Sequence, residues 1–278
     1  MLICANQVTR KGLSMKTESV GDYVDRLQSH GRYSFTKEEA ARALNVSNVA
    51  LTAALHRLSK RGRILAVKRG FYVIVPLEYA VGGVVPAERF IDDLMRSMSL
   101  PYYVGLLTAA ALHGAAHQQP QVFYVVTLKA QRPIHISGLS VRFLKKAGMS
   151  ATPVMAVKTA TGFIRVSTPA ATAIDLVAYQ SRVGGMDRVA TVLQELAEKM
   201  DADAVVEAAK QEHELPPIQR LGWLMESLGL KEVAVKLAEW IAQQEPIPTP
   251  LDPARPRKGC PRDARWNVIV NAEVEGEL

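Results

Sequence analysis

Residues 19–76 limit the possible folds most, because helix and strand signals follow one another there in a fixed order. Val20, Tyr23, Val24 and Leu27 have the i, i+3, i+4, i+7 spacing of one helix face. Two further helix patterns follow, and then two short β runs. Three helices followed by a hairpin within one such stretch predict a winged helix-turn-helix.

The predicted helices have recognisable first turns. Ser19 with Asp22, and Thr36 with Glu39, have the spacing of a capping box, and Ser47 is a suitable N-cap for the third helix. The sequence therefore predicts helices that begin directly after these three hydroxyl residues.

The hairpin is predicted from two β runs, residues 64–67 and 71–75. Lys68-Arg69-Gly70 joins them, and Gly70 supplies the positive φ that a tight hairpin turn needs. The preceding helix has an inward apolar stripe that includes Leu51 and Leu55. The opposite face of this helix is predicted to be exposed and available to a binding partner.

Positive charge is concentrated at the front of the chain. Residues 1–75 carry 13 Lys/Arg and 5 Asp/Glu, a net charge of +8, whereas residues 187–245 carry 6 and 12, a net charge of −6. Residues 55–75 hold six cations and no acid. Because Lys and Arg that pair with phosphates release condensed counterions, this distribution favours binding to double-stranded DNA.

In such a module the third helix is expected to enter the major groove, and the hairpin to touch the backbone or the minor groove. Asn48 is then the candidate for adenine, Thr52 suits a thymine methyl group, and Arg57 can reach guanine or phosphate. A module whose recognition helix is covered by a protein partner is the alternative. The predicted DNA-binding residues are Thr36, Lys37, Ser47, Asn48, Thr52, His56, Arg57, Lys60, Arg61, Lys68 and Arg69.

The rest of the chain predicts a larger domain, so the fold class is α+β, an N-terminal winged helix-turn-helix followed by a mixed sheet-plus-helices domain. Residues 1–18 form a predicted flexible arm, 19–76 the DNA-binding domain and 80–244 the second domain, with 77–100 as a bridge. Residues 245–278 are expected to be a Pro-rich basic linker and a docking C-terminal strand. The second domain is predicted to contain a helix at 102–116, strands at 122–129, 133–136, 139–145, 154–158 and 162–166, and helices at 169–182, 187–200, 202–213, 217–227 and 231–243.

No catalytic motif stands out, so the chain is predicted not to be an enzyme and to need no cofactor. His113 and His117 lie four residues apart but lack a third ligand, so no metal is expected. Asp175 lies in an apolar helix, where a structural salt bridge to Arg165 or Arg142 is expected.

The cations of the predicted sheet leave two interpretations open. They form either a contact surface for nucleic acid or an acidic protein, or a set of strand-edge charges that discourage aggregation. The residues concerned are Lys129, Arg132, Arg142, Lys145, Lys146, Lys158 and Arg165.

No apolar run reaches the length of a membrane span, and Cys4 and Cys260 lie at opposite ends without a partner motif. A cytoplasmic protein that contacts no membrane is expected.

Three stretches together resemble the AbiEi-type antitoxins of type IV toxin–antitoxin systems. They are residues 102–121, which contain YYVGLLTAAALHG and QPQ, residues 166–177 (VSTPAATAIDLV) and residues 266–271 (WNVIVN). The resemblance implies an antitoxin that represses its own promoter by binding inverted repeats, with two copies on one repeat. It also implies a nucleotidyltransferase-like toxin as the functional partner, without requiring direct contact, and it carries over no catalytic residue.

Two other functions remain open. One is a one-component winged-helix transcription factor whose C-terminal domain senses a ligand in a pocket formed by Tyr102, Tyr103, Phe123 and Tyr124. The other is a nucleic-acid enzyme with a winged-helix targeting domain, which the lack of clustered acids disfavours.

Overall fold

The computed structural model describes residues 18–80, 84–115 and 120–274. The chain divides into two compact units, residues 1–76 and 77–278. Of the predicted flexible arm, residues 1–17 lie outside the described residues. None of the helices in the described ranges is both long enough and apolar enough to cross a bilayer.

Within residues 18–76, the first unit contains three helices and a small antiparallel sheet with strand order β1-β3-β2. The predicted helix starts are confirmed, because Ser19, Thr36 and Ser47 are the N-caps. Strand β1, which joins Thr36 to the sheet, was not predicted. The elements are α1 (Val20–Ser29), β1 (Ser34–Thr36), α2 (Lys37–Leu44), α3 (Asn48–Lys60), β2 (Ile64–Lys68) and β3 (Phe71–Ile74).

Phe35 lies at the centre of the first unit's core. Its ring meets Tyr23 edge-on at 5.6 Å and stacks on Tyr72 at 5.5 Å. Leu51 and Leu55 of α3 belong to the same buried cluster. Burial of the inner face of α3 leaves its other face in solvent, as the helix periodicity predicts.

The second unit is built on a six-stranded mixed sheet with strand order β6-β7-β5-β4-β9-β8, in which β5–β7 and β4–β9 are parallel pairs. The α+β class predicted from the sequence is confirmed. After 3₁₀ turns at Leu77–Tyr79 and Ala87–Arg89, the elements are α4 (Ile91–Ser97), β4 (Tyr102–Val104), α5 (Leu106–Leu112), β5 (Phe123–Thr127), β6 (Ile134–Ile136), β7 (Leu139–Lys145), β8 (Val154–Thr159), β9 (Gly162–Ser167), α6 (Pro169–Ala178), α7 (Gln180–Val183), α8 (Met186–Ala197), α9 (Ala202–Lys210), α10 (Leu215–Ser227) and α11 (Lys231–Ile241).

The prediction of one helix over 102–116 is wrong at its start. Residues 102–104 form β4, a central strand buried on both faces, so they show no alternation of apolar and polar residues that distinguishes a strand from a buried helix. The chain turns into α5 at Gly105, where a Cβ would lie only 3.0 Å from Val126 Cγ2. The predicted bridge also contains α4, and the helix predicted at 169–182 is broken at Tyr179.

The Pro-rich segment is not a spacer. Its residues form a second small sheet of β10 (Thr249–Pro250), β11 (Arg262–Asp263) and β12 (Val268–Ile269), with β12 in the middle. Trp266 is fully buried, and a Cβ on Gly222 of α10 would come within 1.9 Å of its ring. Gln219 Nε2 donates to the Ile247 and Trp266 carbonyl oxygens. The C-terminal segment is therefore part of the second unit's core.

Candidate nucleic-acid interface

The outer face of α3 is exposed along its whole length and is apolar in its first half. Val49 is 81% exposed, the highest value among the exposed large apolar side chains. Thr52 donates its hydroxyl to the Asn48 carbonyl oxygen at 2.6 Å, so this hydroxyl is already engaged within the helix. Asn48 and His56 are exposed and supply the hydrogen-bonding groups next to this apolar surface.

Cations surround the second half of α3 and the hairpin turn. Arg57, Lys60, Arg61 and Arg69 are exposed, and within the described ranges none of them forms an ion pair. Arg63, in contrast, pairs with Asp25. The four unpaired charges are therefore available to phosphates.

Strand β1 fixes the hairpin turn beside the start of α2. Thr36 pairs with Phe71, and the Lys37 amide donates to the Gly70 carbonyl oxygen at 2.8 Å. Gly70 has the predicted positive φ, +79°. Lys68 follows an irregularity in β2 and is half-buried, and burial lowers its pKa. Lys37, Lys68 and Arg69 are thus brought together by a pairing that local sequence patterns do not show.

Two predicted contact residues have structural roles. The Thr36 hydroxyl accepts from the Glu39 amide at 3.1 Å, and the Ser47 hydroxyl accepts from the Ala50 amide at 3.3 Å. The Thr36 amide donates in turn to the Glu39 carboxylate. Because the amides of Thr36 and Lys37 are both engaged, the start of α2 offers a phosphate the Lys37 side chain and not these two main-chain donors.

The second unit holds a buried charged cluster around Asp175. Lys146 Nζ lies 2.8 Å from Asp175 Oδ1 and 2.7 Å from Glu212 Oε2, and Tyr103 donates its hydroxyl to Asp175 Oδ2 at 2.7 Å. The expected partners Arg165 and Arg142 are wrong: both are exposed, and Lys146, in the loop after β7, reaches the carboxylate instead. Sequence spacing gives no signal for this cluster, because its members are far apart in the chain.

Burial governs the ionisation of this cluster. It raises the pKa of Asp175, whereas the Lys146 ammonium and the Tyr103 hydroxyl act in the opposite direction. Burial, followed by the nearby Asp175 charge, raises the pKa of Tyr103. The cluster joins the sheet to α6 and to the end of α9.

His113 closes α5. Its Nε2 lies 2.7 Å from the Ser167 carbonyl oxygen, and burial lowers its pKa. His117 lies outside the described residues. Within those that are described, no group of three or more His, Cys, Asp or Glu side chains is arranged to hold a metal ion.

Residues 103–227 match the family model of the AbiEi antitoxin C-terminal domain. This range begins at Tyr103 in β4 and includes every residue of the Asp175 cluster. This part of the chain is similar to AbiEi antitoxin C-terminal domains. The match confirms the resemblance to AbiEi-type antitoxins, and the matched region extends from β4 to α10 and contains the buried Lys146–Asp175 pair.

One solved structure shows a similar fold. The RV2827C protein from Mycobacterium tuberculosis superposes with a TM-score of 0.61 at 16% identity, over 88% of this chain and 89% of that one. An antigenic nucleotidyltransferase-like protein from Paracoccidioides brasiliensis gives a TM-score of only 0.29 at 7% identity, over 55% of this chain and 85% of that one. A search of curated proteins found no match to this chain.

Proposed function

We propose that this chain is the antitoxin of a type IV toxin–antitoxin system and the repressor of its own promoter. Its first unit is a winged-helix module that binds double-stranded DNA at inverted repeats, and its AbiEi domain counters a nucleotidyltransferase-like toxin. No catalytic role, cofactor or membrane contact is part of the proposal, and two copies are expected on one repeat.

The observation that supports DNA binding best is the surface of α3 and the hairpin. It combines the order of elements of a winged helix with exposed cations that lack carboxylate partners in the described part of the chain. From Ala40 to Leu77 the sequence contains no acid at all. A phosphate backbone is the partner that such a surface attracts.

The four rings named for the ligand-sensing alternative do not line one pocket. Tyr102 and Tyr103 are buried, with their hydroxyls bound to Asp92 and Asp175. Phe123 and Tyr124 line two different cavities. These four rings therefore do not form a common binding site.

The test is fluorescence anisotropy on the DNA upstream of the protein's own gene, over a range of salt concentrations. The triple variant Arg57→Ala, Lys60→Ala, Arg69→Ala is expected to bind more weakly, and its salt slope to be shallower by about 0.9 for each phosphate that is no longer neutralised. Arg26→Ala is the control, because Arg26 of α1 already pairs with Glu18, which precedes the helix. Unchanged binding by the triple variant would remove the DNA-reading assignment.

A second readout separates repression from antitoxicity. The same triple variant is expected to derepress a promoter fusion and still to rescue growth when the adjacent toxin gene is expressed. If wild-type protein fails to rescue growth, the antitoxin part of the proposal is wrong, whatever the DNA result.

A further inference from the structure

A cavity in the second unit brings together aromatic rings and arginines that the DNA-binding proposal does not use. Its volume is about 400 Å³, within the range of small-molecule sites. It lies at the outer edge of β7, opposite the junction of α6 and α7. Six of its lining residues carry the argument: Tyr124, Arg142, Phe143, Lys145, Tyr179 and Arg182.

The sheet leaves this edge open because β6 is short. Strand β6 pairs with residues 139–141 of β7 and with no later residue of that strand, whereas β7 continues to Lys145. Beyond Val141, β6 no longer covers the edge of β7. The residues that face this part of the edge across the cavity belong to the break between α6 and α7, at Tyr179. The cavity therefore has a strand edge as one wall and a helix junction as the other.

All charged side chains that line the cavity are positive. Arg142, Lys145 and Arg182 are exposed, no acid lines the cavity, and within the described part of the chain none of the three forms an ion pair. The cavity beside α4 differs, because Asp92 and Asp93 neutralise Arg96 there. An anion is thus attracted to the β7 edge and not to the α4 cavity.

The aromatic side chains of the cavity are held in place by the main chain. Tyr124 donates its hydroxyl to the Arg182 carbonyl oxygen at 2.8 Å, and Tyr179 donates to the Lys145 carbonyl oxygen at 3.3 Å. Tyr124 is buried in the core, so the rings that the cavity offers a ligand are those of Phe143 and Tyr179, which are partly exposed. A planar group that stacks on such rings gains affinity, and base stacking is the common biological case.

We propose that this cavity binds a nucleotide, with the base against the aromatic rings and the phosphate held by Arg142 and Arg182. The guanidinium groups suit this role because their planar donors match phosphate oxygens. The site is independent of the proposed DNA surface of the first unit. It also assigns a role to part of the basic sheet region, in which Lys146 is instead taken up by the buried cluster.

The test is isothermal titration calorimetry of the full chain with four probes: a nucleoside monophosphate, the matching triphosphate, inorganic triphosphate and a short single-stranded oligonucleotide. Saturable binding of a nucleotide, at least about tenfold tighter than inorganic triphosphate, is expected from the stacking contribution. In the Arg57→Ala, Lys60→Ala, Arg69→Ala background, which removes the proposed DNA surface of the first unit, stronger binding of the oligonucleotide than of the free nucleotides would identify a strand end as the source of the nucleotide. Equal binding of inorganic triphosphate would show a simple anion site and overturn the proposal, as would the absence of saturable binding to all probes.

Variants locate the site. Arg142→Gln with Arg182→Gln is expected to weaken nucleotide binding by about tenfold or more. Lys158→Gln with Arg165→Gln removes the same charge from the β8–β9 hairpin and is expected to leave binding unchanged. The Tyr179→Phe variant keeps the aromatic ring and is expected to bind the nucleotide. The Tyr179→Leu variant lacks the ring and is expected not to bind it. Equal losses in the two charge variants would mean general electrostatic attraction and would contradict a site at β7. Circular dichroism and thermal unfolding show whether each variant is folded.

Discussion

At the residue scale, the apolar surface of α3 limits which features of DNA the proposed interface could recognise. Val49 is almost fully exposed, and the Thr52 hydroxyl is engaged with Asn48, so the helix offers methyl groups where hydrogen-bonding side chains are common. In the major groove the matching feature is the C5-methyl group of thymine. Asn48 and His56 are the exposed polar side chains beside this surface and remain the predicted hydrogen-bonding contacts to bases.

If the chain binds DNA as proposed, replacing thymine by deoxyuridine in the bound repeat is expected to weaken binding by about fourfold for each contacted methyl, because burying one methyl is worth about 0.8 kcal/mol. Competition anisotropy between the two DNAs measures this ratio. The double variant Val49→Ala, Thr52→Ser is expected to discriminate less between them. Equal affinity of the wild-type protein for both DNAs would contradict methyl readout while leaving DNA binding itself intact.

The contact between the start of α2 and the hairpin turn matters at the scale of elements, because it positions the turn. Lys37→Pro removes the amide that donates to Gly70, and proline is tolerated at this first helical position. Thr36 is already extended, as a residue before proline should be. The variant is therefore expected to keep its helix content by circular dichroism but to bind DNA more weakly than Lys37→Ala, which removes only the charge. Equal affinities of the two variants would show that the amide does not position the turn.

In the second unit, the buried cluster around Asp175 links the sheet to α6 and to the end of α9. Lys146→Met leaves two carboxylates without their cation, and it is expected to reduce the free energy of unfolding by about 3–5 kcal/mol at pH 7. Lys210→Met, which breaks an exposed pair with Glu207, is the control and should cost less than about 1 kcal/mol.

The pH dependence of the Lys146→Met variant follows from the raised pKa of Asp175. The unfolded carboxyl has an ordinary pKa of about 3.9, whereas burial without the ammonium raises the folded value further. Protons are then lost first from the unfolded chain, so the contribution of Asp175 to stability is greatest below the unfolded pKa and falls as the pH rises through the folded pKa. Urea unfolding of the wild-type protein and the variant at pH 4 and pH 7 measures the free energy that the substitution costs at each pH. A cost at pH 4 that equals or exceeds the cost at pH 7 would contradict the prediction.

Each unit has its own hydrophobic core at the scale of the whole molecule, one around Phe35 and one that includes Trp266. Residues 77–278 alone are therefore expected to fold and to rescue growth from the toxin without repressing the promoter. Growth assays and a promoter fusion measure the two activities separately. Loss of rescue by a truncated protein that is folded by circular dichroism would place part of the antitoxicity in residues 1–76.

Local patterns predicted much of the first unit. Ser19, Thr36 and Ser47 cap their helices and Gly70 turns the hairpin, because capping and turn geometry depend on residues three or four positions apart. The α3 face was predicted for the same reason. Strand β1 was missed, because three residues carry no periodicity of their own.

The second unit was predicted less completely. Residues 102–104 are buried on both faces, so nothing in their pattern separated a central strand from a buried helix. The Pro-rich segment has the composition of a linker, yet Gly222 and Gln219 of α10 hold it in the core. Its proline content reports backbone restriction and gives no information about tertiary contacts.

The sequence by itself determined the positions of the helix caps, the hairpin turn and the surplus of positive charge, since each depends on neighbouring residues or on simple composition. The resemblance of residues 102–121 and 166–177 to AbiEi-type antitoxins was likewise visible in the sequence. Only the tertiary structure decided that Lys146 pairs with Asp175, that the hairpin turn lies beside Lys37, and that Arg142 and Arg182 line one cavity. These pairings join residues far apart in the chain, and their partners are chosen by the packing of sheet and helices, which no local spacing encodes.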